Sequence, residues 1–139
     1  MAFFVDEHEV HRYVGGILLR AGNHPVVGPR LAAARTTLTL MVSEPDAELT
    51  VLLDETHQVL LGPTGVAADV TFRLTGDVLD QFWRGRYDLL DGLARGEVAA
   101  SGRVSRVLKV LPHLRPLFPV YEALVQVKRS SPTPSVASP

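Results

Sequence analysis

Cysteine is absent from this chain, which excludes disulfides, thiolate nucleophiles and cysteine metal ligands together. Such a composition fits a reducing compartment. Charge of one sign is not in excess either: the formal net charge is −1 at pH 7. A surface built to neutralise several phosphates carries a basic surplus, so nucleic acid is not an expected partner. No apolar run approaches the roughly 18 residues that a membrane span requires. The first residues, Met1-Ala2-Phe3-Phe4-Val5, meet Asp6 and Glu7 without a basic head. A secretory leader is therefore not expected, and the expected address is the cytoplasm.

Catalytic signatures are equally scarce. Ser101 stands between Ala99-Ala100 and Gly102-Arg103, so no Gly-x-Ser-x-Gly elbow is present. Gly62-Pro63-Thr64-Gly65 reads as a turn rather than a phosphate cradle. In His8-Glu9-Val10-His11 the histidines are spaced i, i+3, whereas a helical zinc motif needs i, i+4, a place held here by the cation Arg12. His24, His57 and His113 are scattered over turns and a helix boundary. No carboxylate pair has a glycosidase arrangement by local spacing. Tyr13, Tyr87 and Tyr121 fit amphipathic packing or the orientation of a ligand hydroxyl. No catalytic residue, cofactor or metal is expected.

What the chain does have is clean hydrophobic periodicity. Its 139 residues, 46% hydrophobic and 21% charged, have the size and balance of one globular domain. Asp6 with Glu9 forms a capping box ahead of Val10, Tyr13, Val14, Ile17, Leu18 and Ala21, a helical stripe. Gly15 and Gly16 interrupt it, so either another backbone approaches there or the helix bends. Gly22-Asn23-His24-Pro25 ends it, and a shorter helix is predicted over 25–34.

From Thr36 the period becomes two. Leu38, Leu40 and Val42, then Leu49, Val51 and Leu53, take alternate positions, and residues 58–61 and 69–74 continue the pattern. These four strands read as one antiparallel block with one strongly apolar face. Helical stripes follow. Val78, Leu79, Phe82 and Trp83 end at Gly85; Leu89, Leu90, Leu93 and Ala94 are capped by Asp88 and closed by Gly96. Residues 97–101 make a fifth strand. Val104, Val107, Leu108 and Leu111 form the next stripe; Leu114, Leu117, Phe118, Tyr121, Leu124 and Val125 form the last. The Ser/Pro-rich residues 128–139 read as a disordered tail. The expected organisation is a helical segment over 1–34, packed on a domain over 35–127, followed by that tail.

Several of these segments carry a family likeness. Ala68-Asp69-Val70-Thr71-Phe72-Arg73-Leu74-Thr75 looks like a last meander strand with its helix cap, and Phe82-Trp83-Arg84-Gly85 like the helix ending that follows. Leu93-Ala94-Arg95-Gly96-Glu97-Val98-Ala99-Ala100-Ser101-Gly102 is similar to a Gly-flanked last strand. Taken in order, residues 36–124 resemble the sterol carrier protein 2 (SCP2) sterol-binding domain family. Val107-Leu108-Lys109-Val110-Leu111-Pro112 and Pro116-Leu117-Phe118-Pro119-Val120-Tyr121 look like the closing segment of its stand-alone bacterial members. The resemblance implies an α+β fold: a five-stranded, largely antiparallel sheet with helices packed on one face, enclosing an apolar tunnel. It also implies non-covalent binding of sterols, fatty acyl chains or phospholipids, without cofactor or metal. The chain ends Ala137-Ser138-Pro139 where peroxisomal relatives carry a targeting tripeptide, so peroxisomal import is not expected.

The expected ligand wall takes Leu38, Leu40, Leu49, Val51, Val70 and Phe72 from the sheet, with Phe82 and Trp83 from the helix that follows. Leu108, Leu111, Leu117, Phe118, Tyr121 and Leu124 complete it. The segment carrying Leu117, Phe118, Tyr121 and Leu124, delimited by Pro116 and Pro119, is the expected lid. A long acyl chain carries on the order of 10 kcal/mol of aversion to water, which a dry wall of this kind exploits. Phe72, Phe82, Trp83 and Phe118 either wall the tunnel or plug it. Arg103, Arg106 and Lys109 form either a solvated helix face or a ridge for transient contact with anionic membrane headgroups. Carriage of a hydrophobic small molecule or lipid (sterol, fatty-acyl or polyketide-like) is the leading expectation. Two rivals stay open: a cavity enzyme that folds an apolar substrate for cyclisation in natural-product biosynthesis, and an interaction module with a collapsed tunnel. Neither the oligomeric state nor the inward face of each strand is encoded here.

Overall fold

A computed structural model, describing residues 2–130, shows Asp6 starting the first helix. The Asp6 carboxylate accepts the Glu9 N–H at 3.0 Å. Glu9 reaches back to the Val5 N–H at 2.8 Å, one residue further out than a capping box requires. The helix, α1 (Glu7–Asn23), is continuous and buries the stripe that the periodicity marks. The close approach at Gly15 comes from side chains, not backbone. A Cβ there would meet Leu61 Cδ2 at 3.3 Å and Leu49 Cδ2 at 3.7 Å. Next comes α2 (Val27–Ala32), shorter at both ends than expected. The His24 ring caps it, Nδ1 accepting the Val26 and Val27 N–H groups at 3.1 and 3.0 Å.

Strands β1 (Thr36–Ser43), β2 (Ala47–Leu53), β3 (Val59–Leu61), β4 (Val70–Thr75) and β5 (Ala99–Gly102) form a five-stranded sheet in the order β3-β2-β1-β4-β5. The β1–β2, β2–β3 and β4–β5 pairs are antiparallel. In contrast, β4 lies parallel to β1, with Leu38 opposite Val70 and Leu40 opposite Phe72. This corrects the expectation of a wholly antiparallel first block. Alternation records only the face a side chain takes, and it reads the same in either strand direction. Direction is settled by residues 62–69, which carry the chain across the sheet. Pro63 borders a recess with Met41, Glu48, Arg73 and Glu7, the first residue of α1. On the sheet face away from the helices the buried Thr39 and Thr50 hydroxyls bond each other at 2.9 Å.

The opposite face is apolar apart from Thr36 at the start of β1. Leu38, Leu40 and Val42 align with Leu49, Val51 and Leu53 and with Val70, Phe72 and Leu74, and all are buried. Helices cover it. α1 lies over β2 and β3, and α3 (Gly76–Trp83) follows β4 and packs on it. Thr75 caps α3, its hydroxyl accepting the Val78 N–H at 3.2 Å. α4 (Leu89–Arg95) is capped by Asp88 and closed by Gly96 at φ 79°, a left-handed geometry that favours glycine. α5 (Val104–Leu108) packs on β1 and β4. A 3-10 segment, Leu111–Leu117, then leads into α6 (Phe118–Ser130), which packs on α1, α3 and that segment. α6 thus extends into the stretch that composition assigns to the tail. Residues 131–139, the rest of that expected tail, lie outside the described residues.

Candidate functional site

The sheet and its helical cover do not meet everywhere. Between them lies an internal cavity of about 60 Å³. Leu38, Leu40, Leu53, Phe72 and Leu74 form its sheet wall. Leu18 and Leu31 close it from α1 and α2, and Leu79, Phe82 and Trp83 from α3. Leu89, Val107, Val110, Leu111 and Leu114 complete the lining. Every one of these side chains is apolar, so a water molecule inside would find no partner and the void stays dry. Its volume equals that of about two waters in the liquid. Small-molecule sites begin near roughly 300 Å³. The tunnel that the resemblance implies is therefore, in this state, a small cavity.

Of the expected wall, Leu38, Leu40, Phe72, Phe82, Trp83 and Leu111 line this cavity. Leu49, Val51 and Val70 share the inward sheet face but are packed away from the void, Leu49 beneath Gly15 of α1. Leu117 and Tyr121 are fully buried in the surrounding core. Leu108 and Phe118 line a surface groove instead, and half-buried Leu124 lines neither space. Leu18, Leu31, Leu53, Leu74, Leu79, Leu89, Val107, Val110 and Leu114 are wall residues that sequence reasoning leaves unassigned. Most belong to the same stripes and alternations, but periodicity does not say which position of a stripe faces a gap. Phe72, Phe82 and Trp83 are wall. Phe118 backs them from outside, its ring edge-on to Phe82 at 5.9 Å and to Trp83 at 6.4 Å.

The groove, about 920 Å³ and open to solvent, runs between the link from α3 to α4 and the turns before α6. Phe82, Leu89 and Leu111 line both groove and cavity. Arg86, Asp88 and Arg115 stand at its margin.

Nor does α6 lie loosely over the core. Tyr121 Oη donates to Asp80 Oδ1 at 2.7 Å, and Arg84 Nε bonds both Asp80 oxygens at 3.0 and 2.9 Å. Arg84 Nη1 donates to Glu122 on α6 at 3.0 Å. Its Nη2 has no hydrogen-bond partner, and the guanidinium lies 4.8 Å from the centre of the Phe3 ring. Lys128 closes the far end of α6 through Glu9 at 3.0 Å. Burial, followed by the bond to Asp80, pushes the Tyr121 hydroxyl far above the ordinary tyrosine range. The expected lid is thus anchored by a buried polar network. Its sequence signal was an acidic residue on the apolar face of α3, at i, i+4 from Arg84.

Among the described residues, no group of three or more His, Asp or Glu side chains could hold a metal ion. His11 Nε2 lies 3.2 Å from the Glu48 carbonyl oxygen, and His113 Nδ1 accepts from Arg30 at 3.1 Å. No helix among the described residues is long and apolar enough to cross a membrane.

Sheet order and helical cover together match solved structures. The sterol carrier protein domain 2 of Helicoverpa armigera superposes with a TM-score of 0.65, over 79% of this chain and 88% of its own, at 16% identity. The fold is that of sterol carrier protein 2. Palmitated SCP2L2 from Aedes aegypti shares it with a TM-score of 0.56, over 74% of this chain and 91% of its own, at 22% identity. The sec-alkylsulfatase Pisa1 from Pseudomonas sp. matches 60% of this chain with a TM-score of 0.54 and 21% identity. That match spans only 13% of the sulfatase chain. No protein-family model and no curated protein matches the sequence. The α+β architecture and the mostly antiparallel five-stranded sheet agree with that fold.

Proposed function

We propose that this protein binds a hydrophobic molecule non-covalently between its sheet and helices, and carries it. The observation behind this reading is the internal cavity, whose wall is apolar throughout. Each CH₂ withdrawn from water there contributes about 0.8 kcal/mol. The cavity as it stands admits only part of such a molecule, so binding includes displacement of wall side chains. The surrounding elements suit that motion. α4 has 7 residues and α5 has 5, too few to be stable alone, so their positions rest on contacts that a guest replaces. The Aedes neighbour is palmitated, which supports an acyl chain as ligand. No acid or base faces the cavity, which weighs against the cyclising enzyme. A cytoplasmic address and transient contact of Arg103, Arg106 and Lys109 with anionic membranes belong to the same proposal.

Native mass spectrometry of the gently purified chain tests it, followed by titration with palmitate and a sterol. A co-purifying or saturably bound hydrophobic guest supports the reading. Reproducible failure of both arms overturns it. The small cavity volume favours a second reading, a filled core whose outer groove receives a partner protein, and that reading gains if no guest is ever captured.

A further inference from the structure

We propose that the groove outside Phe82, Leu89 and Leu111 is the portal of the cavity, and that Arg86 and Arg115 hold there the acidic head of a single-chain amphiphile. The inference rests on the reading of the interior as a hydrophobic binding site. Phe82, Leu89 and Leu111 line both spaces, so a single layer of side chains separates the outer groove from the dry interior. All three stand at the ends of elements. Phe82 is next to last in α3, Leu89 opens α4, and Leu111 opens the 3-10 segment. Rotamer changes at these positions are the smallest motion that joins the two volumes. Beyond this gate the apolar floor continues outward to Leu90, which is 60% exposed.

The charges at the groove margin select an anion. Arg115 is exposed and makes no ion pair among the described residues. Arg86 Nη2 meets Glu122 Oε2 at 3.5 Å, while Arg84 holds the other oxygen, Oε1, at 3.0 Å. Asp88, the carboxylate that lines the groove, is turned to the α4 backbone and accepts the Asp91 N–H at 3.2 Å. An acidic head therefore finds two guanidinium groups with donors to spare. Its tail finds a path of apolar side chains leading inward. A single-chain acid satisfies both ends, whereas a neutral guest gains nothing from the arginines.

Trp83 provides the readout, because it is the only tryptophan of the chain and lines the cavity. The full chain is titrated with palmitate brominated at its ω-carbon, palmitate brominated beside the carboxylate, unlabelled palmitate and hexadecanol. With the head in the groove, ω-bromination quenches Trp83 more strongly than bromination beside the carboxylate. Palmitate binds about tenfold more tightly than hexadecanol at low salt, the scale of one bond to a charged group. The R86Q/R115Q double variant, altered only at exposed positions, loses most of that preference and keeps its affinity for hexadecanol. Should both ligands bind while the two bromination sites quench equally, or the preference survive in the double variant, the portal is overturned and the hydrophobic site stands. If neither palmitate nor hexadecanol binds, the portal is overturned, and the hydrophobic site then stands or falls on native mass spectrometry and the sterol titration.

Discussion

Tyr121 donates its hydroxyl to Asp80 at 2.7 Å, joining α6 to α3 inside the core, where both residues are buried. Arg84 grips the same carboxylate through Nε, so its two oxygens carry three hydrogen bonds at 3.0 Å or less. The helix that the sequence marks as a lid is therefore held from below. Tyr121→Phe deletes one donor and leaves a buried carboxylate lone pair bare. The expected loss is about 1–3 kcal/mol with the fold retained. Urea unfolding followed through Trp83 measures it, and an unchanged midpoint would show that packing alone holds α6.

The same bond gives stability an alkaline edge. Burial and the Asp80 carboxylate raise the Tyr121 hydroxyl above the 10.0 of a free tyrosine, which is its value in the unfolded chain. A group whose folded pKa lies above its unfolded one contributes fully below the unfolded value, and that contribution fades as pH rises past it. Unfolding free energy is expected to fall above about pH 10 in the wild type and to fall less steeply in Tyr121→Phe. Parallel curves for the two proteins would remove Tyr121 as the cause.

Arg84 places a guanidinium whose side chain is 3% exposed beside Asp80, at 4%. Breaking such a pair from one side costs more than removing both partners, because it strands a buried charge. Asp80→Asn leaves Arg84 with Glu122 as its remaining counter-charge, so the expected cost lies at the lower end of about 3–5 kcal/mol. Adding Arg84→Met to it should recover part of that loss. A double-mutant cycle by chemical denaturation decides the matter; strictly additive losses would mean that the pair is not coupled.

Some of this is legible in the sequence. Alternation through Leu38, Leu40 and Val42 separated the sheet faces, because a half-buried strand needs one wet and one dry side. Asp88 and Gly96 bracketed α4, because a cap and a left-handed closure demand those residue types. The parallel β1–β4 pair was not legible, since strand direction leaves no mark on a period of two. Nor was the cavity. Leu79, Val107 and Leu114 stand in plain stripes, yet a gap depends on side-chain volumes summed over elements far apart in sequence. Asp80 carries one local mark, a carboxylate on the apolar face of α3 four positions before Arg84. Its partner Tyr121 comes 41 positions later, and no local rule connects them.

The Arg103, Arg106 and Lys109 ridge makes a separate commitment. Arg103 and Lys109 are exposed, while Val107 between them faces inward at 2%. Cations on that outer face are expected to bind vesicles rich in anionic lipid at low ionic strength and to release them as salt screens the attraction. Co-sedimentation across a salt series measures this. No binding even at the lowest salt would assign the ridge to solvent alone.

The cavity itself carries an energetic signature. At about 24 cal/mol for each Å³ left unfilled, a void of about 60 Å³ withholds on the order of 1.4 kcal/mol from the folded state. Val107 and Val110 line it and are buried. Val107→Ile adds one methylene toward that space, and a gain of under about 1 kcal/mol is expected. The same methylene occupies room that a guest needs, so affinity for palmitate is expected to fall as stability rises. Urea unfolding and ligand titration on one variant read the two effects together. A packed wall behaves differently: an extra methylene then costs about 1–3 kcal/mol through forced rotamers. Loss of stability in Val107→Ile and Val110→Ile alike would therefore mean that the walls hold no spare volume, and the interior would lose its claim to a guest.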